Sequence, residues 1–132
     1  MLSNDEKIPK QVTNACYLMW CNIFLGVILS IMDAGFESLL NRTYLIVIAI
    51  YVFLIFFVSK GKRFARFLFL GLSLLHLCFV KLSLEYYVSV SGIIELIQLG
   101  TMILSLYLVY SAPGNAWFFS RKQTTENVRA KE

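Results

Sequence analysis

Four long apolar segments separated by short polar stretches constrain the fold of this 132-residue chain more than any other feature. A bilayer core about 30 Å thick is crossed by about 20 helical residues at about 1.5 Å each. The first and last segments reach that length alone, and the other two reach it with flanking residues. The predicted helices lie at about 12–32, 43–59, 67–86 and 93–112. The sequence therefore predicts an all-α integral membrane protein, a single domain of four transmembrane helices in an antiparallel up-and-down bundle.

The composition agrees with a membrane location. Hydrophobic residues make up 58% of the chain and charged residues only 15%, whereas soluble domains carry roughly 25% charged residues. The first segment does not have the features of a removable signal sequence, because its apolar run exceeds the usual ~7–15 residues and the leader "MLSNDEKIPK" mixes acids with lysines. We expect it to be retained as the first helix.

The twelve Lys and Arg residues are divided unevenly between the two sides that four helices would define. Two precede the first helix, four lie between the second and third helices and four lie in the tail, whereas the other side carries Arg42 and Lys81. Because cytoplasmic loops carry the Lys and Arg excess, both termini are predicted to be cytoplasmic. These cations cluster at helix ends and form no extended patch, so the net charge of +4 favours contact with anionic lipid and no nucleic-acid partner.

A polar stripe runs along the fourth predicted helix. At about 100° per residue, four polar residues fall within an arc of roughly 120°: Glu95, Gln98, Thr101 and Ser105. Polar atoms in hydrocarbon are costly unless they face another helix or water. The stripe is therefore predicted to point inward, either as a packing surface or as part of a pathway. Glu95 lies near the outer start of the helix, where the helix dipole favours an acid and where Lys81 is expected at similar depth.

Polar residues also mark the first and third predicted helices. Asn22, Gly26 and Ser30 are spaced by four residues, a pattern typical of faces along which membrane helices pack closely. The single histidine, His76, is predicted to be neutral and hydrogen-bonded to a neighbouring helix, with Asn22 or Gln98 as its partner, because an unpaired cation at that depth is costly.

The segment after the fourth helix is predicted to lie at the membrane surface. Pro113 and Gly114 form a pair that commonly ends helices. Aromatic rings followed by cations make an interfacial anchor, and the residues of this anchor are Trp117, Phe118, Arg121 and Lys122. The cytoplasmic tail is predicted at 120–132, and its polar end, "TTENVRAKE", is predicted to be frayed.

The sequence shows no constellation of catalytic or metal-binding residues. The three cysteines, Cys16, Cys21 and Cys78, lie inside predicted helices and form no disulfide framework. One histidine without a second imidazole or a nucleophile nearby gives neither a metal site nor a catalytic site. We therefore expect no enzymatic activity, no metal and no cofactor.

The two ends of the membrane domain, "IPKQVTNACYLMWCNIFLG" and "LYLVYSAPGNAWFFSRK", resemble those of small four-helix bacterial inner-membrane proteins, most of them uncharacterised. The residues that carry this resemblance are Pro9, Val12, Ala15 and Gly26 at the entry and Ser111, Pro113, Trp117 and Phe118 at the exit. The resemblance implies a location in the bacterial inner membrane and no mechanism.

Two hypotheses for function follow from these observations. The first is a non-enzymatic membrane protein that acts through contacts between helices, as an accessory subunit, a membrane-stress factor or an immunity-type protein. Its partners would be the lipid bilayer and either another membrane protein or further copies of the same chain. The alternative is a small oligomeric transporter or channel, coupled to protons or cations, that uses His76 and the polar stripe of the fourth helix.

Overall fold

The computed structural model of the chain describes residues 8–80 and 84–131, and of residues 121 and 122 it describes only the backbone. These ranges are almost entirely helical and contain no β-strand. The helices are α1 (Lys10–Ala34), α2 (Arg42–Ser59), α3 (Arg63–Cys78), α4 (Leu84–Tyr87), α5 (Val90–Tyr110) and α6 (Ala112–Arg129), with a 3-10 helix (Phe36–Leu40) between α1 and α2.

Three of these helices, α1, α2 and α5, are long and apolar enough to cross a membrane. Helices α1 and α2 contain the predicted helices 12–32 and 43–59, whereas α5 overlaps the predicted helix 93–112 and ends two residues before it; every boundary lies within three residues of the prediction. Asn41 begins α2 by accepting a hydrogen bond from the backbone N–H of Thr43 at 3.0 Å, and Ser89 begins α5 by accepting one from Gly92 at 3.1 Å. Such side-chain caps satisfy amide groups that have no partner inside the helix.

The third predicted helix, 67–86, differs from the structure at both ends. Gly61 adopts a positive φ of 74°, which reverses the chain within a short turn, so α3 begins at Arg63. It ends at Cys78 after 16 residues, about 24 Å of helix, which is shorter than the ~30 Å of a bilayer core. The four-residue α4 follows as a separate element, and Lys81 lies outside the described residues.

The segment predicted to be a frayed tail is a helix instead. Tyr110 ends α5 as predicted to within two residues, but Ser111 then adopts an extended conformation and Pro113 lies in the first turn of α6. Proline is favoured at this position because the first amides of a helix need no partner within it. Gly114 is required by the same bend, since a Cβ there would lie 2.8 Å from the carbonyl oxygen of Leu108.

The helices pack around α1, whose most extensive contact is with α5. The buried core collects near the start of α1, the end of α2, the start of α3, the end of α5 and the first half of α6. Its fully or almost fully buried members are Val12, Ala15, Met19, Leu54, Val58, Ala65, Phe69, Met102, Val109 and Phe118. The opposite end of the bundle is less tightly filled. Large apolar side chains such as Phe24 and Phe53 point outward from the spans, which is compatible with a membrane location.

Candidate functional site

The polar stripe of α5 faces the interior of the bundle. Glu95, Gln98 and Ser105 are buried and Thr101 is half-buried, on the same face as Met102 and Val109. The opposite face of α5 is exposed; its residues are Leu96, Gly100, Ile103 and Tyr107. The structure therefore places all four residues of the predicted stripe toward neighbouring elements.

Hydrogen bonds between α1 and α5 connect the middle of this stripe to Asn22. The Asn22 amide Nδ2 donates to the backbone oxygen of Gln98 at 2.7 Å and to the hydroxyl of Thr101 at 3.2 Å. In return, the Gln98 amide Nε2 donates to the backbone oxygen and to Oδ1 of Asn22, both at 3.3 Å. Two carboxamides and one hydroxyl thus satisfy one another across the helix interface, where an unpaired polar group would be costly.

Gly26 allows the close approach that these hydrogen bonds need. A Cβ at this position would lie 3.0 Å from Nε2 of Gln98, so a side chain there would displace the amide from Asn22. Ser30, the third member of the predicted packing face, makes a different contact. Its hydroxyl hydrogen-bonds with that of Ser38 at 2.9 Å, which ties the end of α1 to the 3-10 helix.

The hydroxyls of Thr101 and Ser105 both donate hydrogen bonds within α5 itself. The Ser105 hydroxyl donates to the carbonyl of Met102 at 2.8 Å, and the Thr101 hydroxyl donates to that of Gln98 at 2.9 Å. Ser and Thr in helices commonly bond to a carbonyl of the preceding turn. Ser105 is therefore a polar residue whose hydroxyl does not reach another helix.

Glu95 lies near the start of α5, next to α4. Its side chain forms a hydrogen bond with the Tyr86 hydroxyl, and a Cβ on Gly92 would lie 2.1 Å from the carbonyl oxygen of Tyr86. The two elements are thus in very close contact. Burial first, and then the hydrogen bond to Glu95 and the negative charge of Glu95, raise the pKa of Tyr86 to about 12. The predicted proximity of Lys81 to Glu95 concerns a residue outside the described chain.

His76 is half-buried near the end of α3 and lines the same cleft as Asn22 and Gln98. The predicted hydrogen bond from the imidazole to one of these residues is wrong. Within the described ranges the imidazole makes no hydrogen bond with Asn22 or Gln98, because these two residues bond to each other. All three residues line the open cleft, and the imidazole is not packed directly against the other two.

The cleft itself opens between α1, α2, α3 and α5 at the less tightly filled end of the bundle. Its volume is about 420 Å³. The polar residues among its lining are Asn22, Ser30, Asp33, Tyr44, Tyr51, His76 and Gln98, and its remaining walls are mostly aliphatic. The cleft contains one of the four stripe residues, Gln98, whereas Glu95, Thr101 and Ser105 belong to the packed part of the bundle.

At the other end of the bundle, Arg66 joins α3 to α6. Its side chain is only 3% exposed and donates from Nη1 to Oδ1 of Asn115 at 2.9 Å. The guanidinium carbon lies 4.5 Å from the ring centroid of Phe118 and 5.0 Å from that of Tyr110, within the range of cation–π attraction. Arg66 is one of the four Lys and Arg residues predicted between the second and third helices, whereas the structure places it in α3.

The residues predicted to anchor the chain at the membrane surface are arranged differently. Trp117 and Phe118 are buried in the core, with 6% and 0% of their surface exposed. Phe119 remains on the surface, where the Arg63 guanidinium carbon lies 3.7 Å from its ring centroid. The side chains of Arg121 and Lys122 are not among the described parts of the chain.

Groups that could perform chemistry are sparse in the described ranges. Cys16, Cys21 and Cys78 are free, and the searched residues contain no cluster of three or more His, Cys, Asp or Glu that could hold a metal ion. The arrangement of α1 and α5 can fix helix positions, and the cleft can admit a molecule. Comparisons of the chain with protein-family models, with curated proteins and with solved structures find no match.

Proposed function

We propose that this chain is a non-enzymatic integral membrane protein of the bacterial inner membrane that acts through contacts between helices. The observation that carries the proposal is the mutual hydrogen bonding of Asn22, Gln98 and Thr101 between α1 and α5. Polar groups that are satisfied in this way hold two helices in a fixed relation. Their donors and acceptors are satisfied by one another, whereas groups that line an ion pathway are satisfied by water.

The proposed arrangement in the membrane has four crossings with both termini in the cytoplasm. Three crossings are α1, α2 and α5. We assign the fourth to α3, whose 16 residues are shorter than an average span and are accommodated by local thinning of the bilayer. The distribution of Lys and Arg supports this orientation, since ten of the twelve lie on one side of such an arrangement.

The surface of the spans supports a partner that is itself within the membrane. Phe24 on α1, Phe53 on α2 and Tyr107 on α5 are each more than half exposed, and the connection between α1 and α2 is short. The partner is another membrane protein or further copies of this chain, in the manner of an accessory, membrane-stress or immunity-type subunit.

Purification from native membranes tests this function. A copy with an affinity tag, extracted in a mild detergent, is expected to bring with it a stoichiometric membrane protein or to form a defined oligomer. An unrelated tagged membrane protein of similar size, expressed at the same level, controls for chance association in micelles. Recovery of the chain only as a monomer in all mild detergents would contradict the proposal.

A small oligomeric transporter or channel is the second candidate, supported by one observation. Gln98 and His76 line an open cleft that reaches the middle of α1. This candidate predicts proton or cation flux in reconstituted vesicles that is reduced by His76→Gln or Glu95→Gln. If flux is absent, or is unchanged by both substitutions, the transporter function is excluded and the function through helix contacts is unaffected.

A further inference from the structure

The cleft between α1, α2, α3 and α5 has the size of a small-molecule site. The function proposed above, through contacts between helices, does not require this cleft. Its volume of about 420 Å³ falls within the range of ~300–1,000 Å³ that is usual for such sites. Apolar walls with a few polar groups are also the usual composition of a small-molecule site. Here the walls include Ile23, Leu29, Val47 and Ile48.

The cleft is elongated along α1. Asp33 lines it near the C-terminal end of this helix, and Asn22 lines it near the middle. These two residues are separated by three helical turns, which corresponds to about 16 Å along the helix axis. A bound molecule would therefore extend from the end of α1 toward its centre, with both apolar and polar surroundings.

The charged and aromatic residues that line the cleft indicate the kind of molecule that it would bind. Asp33 is an exposed aspartate, and among the described lining residues no Lys or Arg is present to neutralise its carboxylate. Tyr44 and Tyr51 on α2 add aromatic surface to the same cleft, and aromatic rings attract cations that lie over their faces. Both features favour a positive charge over a negative one.

We propose that this cleft is a binding site for a lipophilic organic cation, which is a molecule with one positive charge on an apolar body. The carboxylate of Asp33 attracts the charge, the rings of Tyr44 and Tyr51 add aromatic surface along the cleft, and the aliphatic residues hold the apolar body. This site is independent of the protein partner proposed above, because the cleft is formed by the helices of one chain.

Tetraphenylphosphonium and tetraphenylborate provide a direct test, because the two ions have the same shape and opposite charge. Equilibrium dialysis against the purified chain in mild detergent measures the binding of each ion. We expect saturable binding of tetraphenylphosphonium with one ion per chain, and only the unsaturable partitioning of tetraphenylborate into micelles. Absence of saturable phosphonium binding, or equal saturable binding of both ions, would overturn the proposal.

Three variants locate the bound cation. Asp33→Asn removes the charge, and Val47→Trp fills the cleft from a partly exposed position on α2 that carries no charge. Glu37→Gln is the matched control, since Glu37 is an exposed acid in the adjacent 3-10 helix outside the cleft lining. Affinity for tetraphenylphosphonium should fall by about tenfold or more in the first two variants and stay within about twofold in the control. Unchanged affinity in both cleft variants, or an equal loss in all three, would place the binding elsewhere and refute the site.

Discussion

Asn22 on α1 and Gln98 on α5 exchange hydrogen bonds through their side-chain amides, each donating to the backbone oxygen of the other. The two residues stand 76 positions apart in the sequence. This pair lies within the most extensive helix contact of the structure. It therefore fixes both the rotation and the relative height of α1 and α5.

The two members of this pair should contribute unequally to stability. Asn22→Leu removes the amide that donates hydrogen bonds of 2.7 and 3.2 Å and, with its Oδ1, accepts one of 3.3 Å. Gln98→Leu removes only the amide that donates the two hydrogen bonds of 3.3 Å and leaves the shorter bond to its own backbone oxygen in place. We expect the free energy of unfolding to fall by about 1–2 kcal/mol for Asn22→Leu and by less for Gln98→Leu. Reversible unfolding in mixed micelles measures both. A larger loss for Gln98→Leu would show that the observed geometry does not govern the contact.

Gly26 and Gly100 form a matched pair of glycines with different surroundings. A Cβ on Gly26 would lie 3.0 Å from the Gln98 amide, whereas a Cβ on Gly100 would have no atom within 4 Å. Gly26→Leu is expected to lower the free energy of unfolding by about 1–3 kcal/mol through overpacking. Gly100→Leu should leave it unchanged or raise it, because glycine is a poor helix former. Equal effects of the two substitutions would argue against close packing of α1 on α5.

Asn115 should hold α6 against α3 through the buried guanidinium of Arg66. Asn115→Ala removes the acceptor at 2.9 Å, and a hydrogen bond to a charged group contributes about 1.5–3 kcal/mol. We expect faster hydrogen–deuterium exchange throughout α6. We also expect the free energy of unfolding to fall by about 1.5–3 kcal/mol. Asn127→Ala on the exposed end of the same helix is the control, and it should change neither. Identical exchange in the two variants would mean that α6 is held by other contacts.

The environment of Tyr86 predicts a pH dependence of stability. Burial, the hydrogen bond to Glu95 and the charge of Glu95 raise the pKa of Tyr86 from 10.0 to about 12. The folded chain therefore keeps a proton that the unfolded chain releases, so the stability associated with Tyr86 is complete below pH ~10 and is lost as the pH rises toward ~12. Tyr86→Phe should remove this dependence, as measured by chemical unfolding at a series of pH values.

The same environment can be tested by direct titration. Glu95→Gln should move the pKa of Tyr86 back toward its ordinary value, because it removes the negative charge that opposes ionisation. The absorbance of tyrosinate, taken as the difference between each chain and its Tyr86→Phe counterpart, follows this one phenol. Glu85→Gln, at an exposed acid that does not contribute to the shift, is the control. A shift of equal size in both variants would exclude a specific contact between Tyr86 and Glu95.

The interior side of α5 could be predicted from the sequence because polar side chains in an apolar helix reveal which face is turned inward. Glu95, Gln98 and Ser105 recur at intervals that match the helical repeat, and the structure buries all three. The partner of Gln98 was not predictable in the same way. The spacing of Asn22, Gly26 and Ser30 indicated one packing face, but in the structure Ser30 forms its hydrogen bond with Ser38 of the following 3-10 helix.

Local ambiguity accounts for the larger differences. Pro113 and Gly114 are compatible with the end of one helix or the start of the next, and the contacts of Asn115, Trp117 and Phe118 with the rest of the bundle stabilise the second. Arg66 resembles a loop cation in sequence and becomes buried because α6 supplies Asn115 and an aromatic ring. The cleft is a property of how four helices diverge, and no single segment encodes that divergence.

Site-specific photocrosslinking in native membranes tests the central claim, function through helix contacts, most directly. A photoreactive phenylalanine analogue would replace Phe53, which is 59% exposed on α2, and in separate chains Phe24 or Tyr107; Leu54, which is 1% exposed, is the internal control. The account predicts that at least one exposed position gives an adduct with a single protein of defined mass, and that Leu54 gives none. Adducts with lipid alone at all three exposed positions would contradict it.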